Sequence, residues 1–399
     1  MRYLTLTILG LLLGVSFLPQ TATACSMVSF TGTDGTVWVG NNEDFLDPNT
    51  YVWTLPREKG KFGAVYFGFG NFFAQGGIND AGLVFDGFAL EEKEIKNNAG
   101  KKKISPGELV NRIMQNCATI AEVKEIAIKY RLDFLTSAQL MFVDSLGYSL
   151  IIEGDDWLEK GPGEPQICTN FYQSTINNFS EISCPRYLAG HETLNQASPE
   201  NMDKNMCRDI VASMHSEEWW GGSLYSNVYD TRNKQIYLYL FHNYEEEVVL
   251  SVEELLAEPM EPVRLHTYFK QKEAHDQYVQ QHVDVETNIA LLNSTEDLDV
   301  LRTAATTLSQ IELTRFSADE ALASLEDYKK EEEYEKIIAV VEPLINLFDL
   351  SWELRATLAK AHHELGNQQE ALIHINKAIE LNPQEPKLKE ALEEIKAQE

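Results

Sequence analysis

A cysteine stands where a secretory leader would be cut. Arg2 precedes an apolar run from Leu4 to Leu18, and the small residues Ala22-Thr23-Ala24 come directly before Cys25. This order is typical of a signal peptide that is cleaved after Ala24 and leaves Cys25 as the first mature residue. A terminal cysteine carries a thiol, with a pKa of about 8.5, and an α-amine, with a pKa of about 7.7–8.0. The sequence therefore predicts a nucleophilic thiol whose own amine accepts its proton.

Two other interpretations of the leader stay open. The run could be an uncleaved anchor, but a membrane span needs about 20 apolar residues, and the run from Leu4 to Leu18 is shorter than that. Cys25 could instead be acylated in a lipoprotein, although Ala22 stands where such signals usually carry leucine. No other segment is long and apolar enough to span a membrane. We expect an exported protein, periplasmic or secreted, and less readily a lipoprotein.

The composition excludes some classes of function. The 399 residues include 62 Asp and Glu against 33 Lys and Arg, a formal charge of -29. An acidic chain of this kind argues against binding to nucleic acids, which requires positive charge, and against anionic membrane surfaces. The hydrophobic fraction of 44% suits a globular chain with a real core. Five cysteines leave at least one thiol unpaired, and Cys168 with Cys184 is one pairing that the sequence allows.

The elements that must position Cys25 are mainly short strands. Turn signals such as Asp34-Gly35 and Ser145-Leu146-Gly147 separate β-branched and aromatic runs. Two helices interrupt them, at Ser105 to Cys117 and at Thr119 to Tyr130. The predicted strands are Ser26 to Phe30, Val37 to Val39, Ala64 to Phe69, Gly82 to Phe88, Gln139 to Val143, Ser149 to Glu153, Tyr225 to Tyr229 and Gln235 to Leu240.

The composition changes after Pro262, and from Val283 onward helical spacing of apolar residues predicts helices to the end. Between Leu358 and Pro383 small residues recur where two antiparallel helices would touch, and this stretch resembles a tetratricopeptide repeat. Leu325 to Ile345 is similar to a looser copy on which it would stack. The tail either caps the first domain or binds a protein partner, and its histidines His362, His363 and His374 form no metal-binding pattern. The pattern residues are Leu358, Ala359, Gly366, Ala371, Ala378 and Pro383.

Two short motifs carry a second resemblance. Cys25-Ser26-Met27-Val28-Ser29-Phe30 and Gly40-Asn41-Asn42-Glu43-Asp44-Phe45 resemble the opening of N-terminal nucleophile hydrolases. The similar branch holds choloylglycine hydrolases, penicillin V acylases and isopenicillin N acyltransferases, and the likeness runs from Cys25 to about Leu250. Members cleave linear amide carbon–nitrogen bonds outside peptide backbones. The resemblance implies an α+β fold, a four-layer αββα sandwich.

The resemblance also implies roles for single residues. Cys25 matches the nucleophile, and Asp44 matches the aspartate that holds the terminal amine. Asn170, in Thr169-Asn170-Phe171, matches an oxyanion donor, and the backbone N–H near Ala89 matches the other. Arg186 matches an arginine that supports the amine and the aspartate. The alternatives are a turn carboxylate for Asp44, a turn asparagine for Asn170 and a surface ion pair for Arg186.

Further residues and motifs are candidate substrate contacts. Asn41 stands where the hydrolase branch usually has arginine and the acyltransferase branch has an amide, which puts bile-salt specificity in doubt. Asn79-Asp80-Ala81-Gly82-Leu83 resembles the turn before a strand that borders the pocket. Trp219-Trp220-Gly221-Gly222 is a candidate loop over the cleft. An aromatic set could line an apolar acyl pocket or could simply be core, and Phe67 and Phe88 are its predicted substrate contacts. The set comprises Phe67, Phe69, Phe72, Phe73, Phe85 and Phe88.

Together these patterns predict an exported cysteine amidohydrolase that needs no cofactor and no metal. The predicted division is a signal peptide at 1–24, a catalytic domain at 25–258, a helical linker at 259–317 and a tetratricopeptide-like domain at 318–399. The expected substrate is a small N-acyl amide that forms a thioester on Cys25. The alternatives are acyl transfer to an amine acceptor, and a non-catalytic exported or lipoprotein scaffold that binds a partner through its tail.

Overall fold

The computed structural model describes residues 25–45, 47–96, 98–216, 222–257, 260–310, 318–345 and 347–397. The predicted signal peptide, and Trp219, Trp220 and Gly221 of the predicted cleft loop, lie outside the described residues. The strands are β1 Ser26–Thr31, β2 Val37–Asp44, β3 Thr50–Leu55, β4 Ala64–Phe69, β5 Ala74–Asn79, β6 Val84–Ala89, β7 Ala138–Val143, β8 Ser149–Glu153, β9 Asp156–Lys160, β10 Gln166–Cys168, β11 Ser223–Asp230, β12 Gln235–Leu240, β13 Asn243–Ser251 and β14 Val263–Arg264.

Helices lie between β6 and β7, between β10 and β11, and along the C-terminal third of the chain. Ser105 and Thr119 cap the first two by accepting hydrogen bonds from Glu108 N and Glu122 N. The helices are α1 Pro106–Asn116, α2 Ile120–Ala127, α3 Pro185–Gln196, α4 Lys204–Ser213, α5 Val252–Leu255, α6 Glu273–Leu292, α7 Leu298–Gln310, α8 Ala318–Ser324, α9 Glu326–Lys330, α10 Tyr334–Leu344, α11 Trp352–Glu364, α12 Gln368–Leu381 and α13 Pro386–Lys396.

The strands form two antiparallel sheets. The first has the order β10-β1-β2-β11-β12-β13, and the second has the order β14-β3-β4-β5-β6-β7-β8-β9. The second sheet is mostly a meander, whereas β11 joins the first sheet beside β2 after a long excursion. Strand β2 is therefore an interior strand of its sheet, with both of its edges hydrogen-bonded to a neighbouring strand.

The two sheets and two pairs of helices make four layers. Val39, Phe67 and Met141 belong to one core between the sheets. On the outer face of the second sheet, Tyr66 and Phe85 pack with residues of α1 and α2. On the outer face of the first sheet, Val28 packs with residues of α4. The fold is therefore an αββα sandwich with a helical tail, as predicted from the sequence.

Alternation along β2 shows how the sequence produces these layers. Val37 and Val39 face the core between the sheets, and Trp38 faces the α4 layer. Gly40 lies on the α4 side, where a Cβ atom would come within 2.3 Å of Val211 Cγ2. The glycine lets the helix lie close to the strand.

The helical tail has its own buried clusters and also touches the sandwich. Helices α11 and α12 form an antiparallel pair in which Ala359, Ala371 and Ala378 are fully buried. Gly366 links them with a φ of 76°, a left-handed conformation that suits glycine. Tyr278 of α6 packs into the core between the sheets. The helix pair lies where the spacing predicts it, while its membership of the tetratricopeptide family stays a prediction.

Most predicted elements lie within a few residues of the observed ones. The strands that the sequence did not indicate are β3, β5, β9, β10, β13 and β14, and the helices α3, α4 and α5 were likewise not predicted. Strand β5 reads Ala-Gln-Gly-Gly-Ile-Asn, whose paired glycines lack the usual strand signature. Among the described residues, no helix is both long and apolar enough to cross a membrane.

Candidate active site

Cys25 directly precedes β1 and faces the interior of the sandwich. Pairing of Ser26 with Asn42 sets Cys25 beside Glu43 of β2. Its Sγ donates to Glu43 Oε1 at 3.3 Å. Only 4% of Cys25 is exposed, yet it lines a cavity of about 200 Å³. The thiol is thus within reach of a small bound molecule and of a carboxyl group. In the 399-residue chain the nitrogen of Cys25 is a peptide amide.

Asp44 lies on the opposite face of β2, beside the first turn of helix α3. Its carboxylate is fully buried and accepts a hydrogen bond from Arg186 Nη1 at 3.3 Å. Ser223 Oγ donates to the other carboxylate oxygen and itself accepts from Ser216 N at 2.9 Å. A buried carboxylate of this kind needs such partners, and Arg186 supplies the compensating charge.

Arg186 joins the predicted residues to one another. The same Nη1 that bonds Asp44 also donates to the backbone oxygen of Cys25 at 3.0 Å. Its Nη2 donates to Asn170 Oδ1 at 3.0 Å. The planar guanidinium holds these donors in a fixed fork, which makes it a rigid connector. Cys25, Asp44 and Asn170, far apart in the sequence, therefore meet around one side chain.

Asn170 points its amide nitrogen at β6. Nδ2 donates to Ala89 O at 2.8 Å, while Oδ1 is held by Arg186. Leu90 N bonds to Ser137 O of the neighbouring segment, so the N–H and C=O of Ala89 both point to the other edge of β6. The Asn170 amide and the Ala89 N–H therefore lie at the same edge, where both can face one oxygen atom.

The cavity beside Cys25 is mainly aromatic and aliphatic. Phe88 lines it, as do Phe69 and Phe73 from the predicted aromatic set. Phe67 packs instead between the sheets against Tyr225 and Tyr229. Phe72 is half exposed, and Phe85 faces the helix layer of the second sheet. The remaining walls include Phe45, Val110, Phe134, Leu135, Ala138 and Leu140.

Three carboxyl groups surround the thiol, and burial dominates their titration. Burial raises the pKa of Asp44 to about 7, against the opposing effect of Arg186. Burial, with the charge of Asp44 as a smaller cause, raises the pKa of Glu43 to about 8. Burial and the charge of Glu43 raise the pKa of Asp86 well above its usual value. Burial, and then the charges of these three carboxylates, also raise the pKa of the Cys25 thiol.

Several residues near the thiol were not predicted from the sequence. Glu43, Asp86 and Gln139 lie between the sheets close to Cys25, as does the predicted residue Asn41. A signal for Glu43 was present, because residues 37, 39, 41 and 43 of β2 share one face by strand alternation. Asp86 and Gln139 come from the facing sheet, and no local pattern relates them to Cys25.

All five cysteines are free thiols. Cys168 and Cys184, the pairing that the sequence allows, do not form a disulfide. Cys168 lies in the core between the sheets, and Cys184 Sγ accepts a hydrogen bond from Thr169 Oγ1 at 3.4 Å.

No family model matches the chain, and no curated protein sequence matches it. Solved structures do resemble it. A variant of the conjugated bile acid hydrolase from Clostridium perfringens has a TM-score of 0.48 at 13% identity, covering 60% of this chain and 97% of that one. A second variant of that enzyme has a TM-score of 0.46 at 12% identity, covering 60% and 96%. The penicillin V acylase from Agrobacterium tumefaciens has a TM-score of 0.42 at 14% identity, covering 56% and 84%. Likeness at these scores identifies no family, so the function rests on the arrangement around Cys25.

Proposed function

We propose that the chain is an exported cysteine amidohydrolase that cleaves the carbon–nitrogen bond of a small N-acyl amide. Removal of residues 1–24 frees the α-amine of Cys25. The thiol attacks the amide carbonyl, the α-amine takes the thiol proton, and that proton passes to the departing amine. Water then hydrolyses the thioester on Cys25 and restores the thiol. An amine acceptor in place of water would make the same intermediate that of an acyltransferase.

The observation that carries this proposal is the contact of Arg186 with Cys25, Asp44 and Asn170 together. A surface ion pair would have no reason to bond the backbone of a buried cysteine and an asparagine amide as well. The buried Asp44 carboxylate gives a terminal ammonium at Cys25 a counter-charge, because Arg186 compensates that carboxylate only in part. The pKa of Asp44, raised to about 7 by burial, should fall when that ammonium appears.

Asn170 and Ala89 supply the second part of the mechanism. Attack on the carbonyl makes a negatively charged oxygen, which donors fixed in advance stabilise better than mobile water. Arg186 orients the Asn170 amide so that its N–H groups, not its oxygen, face the edge of β6. The Ala89 N–H lies at the same edge. Together they support a two-donor oxyanion site beside Cys25.

The cavity supports a compact, largely apolar acyl group. Its volume of about 200 Å³ is below that of a typical drug-sized site, and Phe69, Phe88 and Phe134 line it. Because Cys25 is one wall, the acyl carbon of a thioester would begin inside the cavity. Phe88 is thus the better supported of the two predicted aromatic substrate contacts, and Asn41 lies nearby but does not line the cavity.

The test combines terminal mass spectrometry with a screen of N-acyl para-nitroanilides. We expect exported protein to begin at Cys25 and to gain the mass of an acyl group on that residue with its best substrate. Cys25→Ala should abolish both the thioester and turnover, and the half-buried Cys184→Ser serves as the matched control with activity retained. Cleavage elsewhere than before Cys25 would refute the amine base, and an active Cys25→Ala would refute the nucleophile.

A non-catalytic binding role is the second candidate, favoured by a groove in the tail. The groove has a volume of about 760 Å³ and is lined by α11 and α13 residues that include Trp352, Ala356 and Leu388. A protein partner could dock there. If binding were the whole function, Cys25→Ala would leave the biological activity unchanged, and loss of activity in that variant favours the enzyme.

A further inference from the structure

A group of polar side chains lies between the two sheets beside Cys25. Asn41 and Glu43 come from β2, Asp86 from β6, and Gln139 from β7. All four are at most 2% exposed. Among the described residues, Glu43 Oε2, Asp86 Oδ2, Gln139 Oε1 and both amide atoms of Asn41 have no partner with good hydrogen-bond geometry, although the Asn41 amide lies close to Asp86 and a tyrosine hydroxyl lies close to Glu43. Buried polar atoms are normally paired, so a group of unpaired ones at a cavity indicates a recognition site for a ligand.

The unpaired atoms are mostly acceptors. Glu43 uses Oε1 for the Cys25 thiol, which leaves Oε2. Gln139 uses Nε2 to donate to Thr169 O at 2.6 Å, which leaves Oε1. Glu43 and Gln139 both line the cavity, and Asp86 lies close to Glu43. A ligand that satisfies this wall must therefore donate hydrogen bonds, and the fully buried Gln139 points to a ligand independently of the acidic pair.

Within the described residues, this wall contains two carboxyl groups and no paired cation. In the part of the chain that the structure describes, no lysine, arginine or histidine forms an ion pair with Glu43 or Asp86, whereas Asp44 on the other face has Arg186. Two buried carboxyl groups without a cation disfavour each other's ionised forms. A cationic donor in the cavity would reverse that effect and satisfy both the charge and the hydrogen bonds.

The distance to the thiol limits where the cation can be. Glu43 Oε1 is 3.3 Å from Cys25 Sγ, and Oε2 belongs to the same carboxylate. An acyl carbon bonded to Sγ would therefore carry its nearest substituents next to Glu43. An amine one or two carbon atoms from the carbonyl would reach this wall, whereas an amine at the far end of a long acyl chain would lie among Phe69, Phe88 and Phe134.

We propose that the cavity selects an acyl group with a protonated amine close to the scissile carbonyl, bound by Glu43 Oε2 and Gln139 Oε1, with its apolar side chain against the phenylalanines. The substrate class is thus an amino-acid amide with an apolar side chain, and the proposal rests on the proposed function. Cleavage itself is unchanged: the amine is a binding group, and the thiol proton still goes to the departing amine.

Matched amides test the selection. Phenylalanyl and hydrocinnamoyl para-nitroanilide differ only in the amine, and we expect kcat/KM to favour the first by at least about tenfold. Glu43→Gln should bring that ratio close to one, and Gln139→Leu should lower it as well. Glu58→Gln, an exposed glutamate, is the control and should keep the wild-type ratio. Equal use of both amides by the wild type, or an unchanged ratio in Glu43→Gln, would overturn the proposal.

A binding measurement separates this proposal from the proposed function. Calorimetry on Cys25→Ala with phenylalaninamide and hydrocinnamamide needs no turnover. We expect phenylalaninamide to bind Cys25→Ala at least about tenfold tighter, and to lose that advantage in Cys25→Ala/Glu43→Gln. Binding without turnover in the wild type would refute the amidohydrolase and retain the cation site. Turnover of other N-acyl amides with no preference for the amine would retain the amidohydrolase and refute the cation site.

Discussion

Two neighbouring residues of β2 point to opposite faces of the strand next to Cys25. Glu43 faces the cavity and accepts from the thiol, and Asp44 faces helix α3 and pairs with Arg186. Because successive strand residues point to opposite faces, adjacent positions can take unrelated tasks. Arg186 then connects Asp44 to Asn170, so the residues on the α3 side form one hydrogen-bonded unit. Removing Asp44 or Arg186 would leave the other charge without its partner, so either substitution should lower stability as well as activity.

Asn170→Ala is the sharpest test of the oxyanion site. Removing one such donor lowers kcat by about 10²–10³-fold in known cases, and we expect a loss in that range. KM should change less, because the donor acts most strongly on the charged intermediate. The exposed Asn116 provides a control, and Asn116→Ala should keep the wild-type kcat. A loss below about tenfold in Asn170→Ala would exclude the role proposed for it.

The raised pKa of Glu43 predicts a pH-dependent stability. Its pKa is about 8 in the folded chain and 4.5 by reference, so the folded state keeps a proton that the unfolded state releases between those values. The contribution of Glu43 to the free energy of unfolding is therefore fully present below its unfolded-state pKa, and it is lost as the pH rises through its folded-state pKa.

Urea unfolding of the uncleaved chain at about pH 5.5 and about pH 8.5 checks this prediction. Between these two pH values the free energy of unfolding should fall by at least about 1.4 kcal/mol more in the wild type than in Glu43→Gln. This difference corresponds to a shift of one pKa unit. Glu58→Gln should follow the wild type, because the hydrogen bond with Lys61 lowers the pKa of that exposed carboxyl, which stays ionised over the whole interval. Parallel losses in wild type and Glu43→Gln would contradict the raised pKa.

At the scale of elements, β2 and α4 set the position of the site. β2 lies between β1, which begins after Cys25, and β11, which begins with Ser223 at Asp44. Helix α4 packs on the outer face of the same strand through Cys207 and Val211. The close approach at Gly40 makes the strand and the helix one rigid support for Glu43 and Asp44.

Gly40→Ala should destabilise the protein by about 1–3 kcal/mol, the usual cost of overpacking. The added Cβ atom would lie 2.3 Å from Val211 Cγ2 and 2.9 Å from Cys207 Sγ. Val211→Ala in the same chain should recover part of the loss, because it removes the nearest clashing group. Gly107→Ala is the control, since its Cβ meets Phe73 only at 3.8 Å. Denaturant unfolding measures all four proteins, and an equally stable Gly40→Ala would show that α4 can move away.

At the scale of the molecule, the helical tail continues into the sandwich. Tyr278 of α6 stacks edge-on against Phe241 and donates to the backbone oxygen of Phe45 at 3.4 Å. Phe45 lines the cavity. The first helix of the tail therefore supports a wall of the candidate site, and the rest of the tail presents the groove on α11 and α13. The two units are connected by packing as well as by the chain.

The molecule is held together without disulfides, although it is predicted to be exported. We expect five thiols per chain by Ellman titration in denaturant, and the same number without prior reduction. The melting temperature should be unchanged by a reducing agent, because no crosslink exists to lose. Fewer titratable thiols before reduction, or a lower melting temperature after it, would show that two of the cysteines pair.

The sequence by itself determined the local elements and the chemistry of Cys25. Turn residues, capping residues and strand alternation act over a few positions, so β1, β4, α1 and α2 could be predicted close to their observed bounds. The order of leader and cysteine also needs no tertiary information. Strand β5 was missed because its glycines serve the close approach of β4, where a Cβ atom on Gly77 would meet Val65 O at 2.3 Å. That contact exists only in the assembled sheet.

Only the tertiary structure decided which side chains meet. Arg186 lies 142 positions from Asp44 in the sequence, and the two touch because α3 packs against β1 and β10, which brings its first turn to the end of β2. Glu43 and Asp86 share the interior because the two sheets stack face to face. Local propensity carries no information about such pairs, since they depend on how separate elements pack. The separation of the cysteines, the lining of the cavity and the carboxyl groups beside the thiol all follow from that packing.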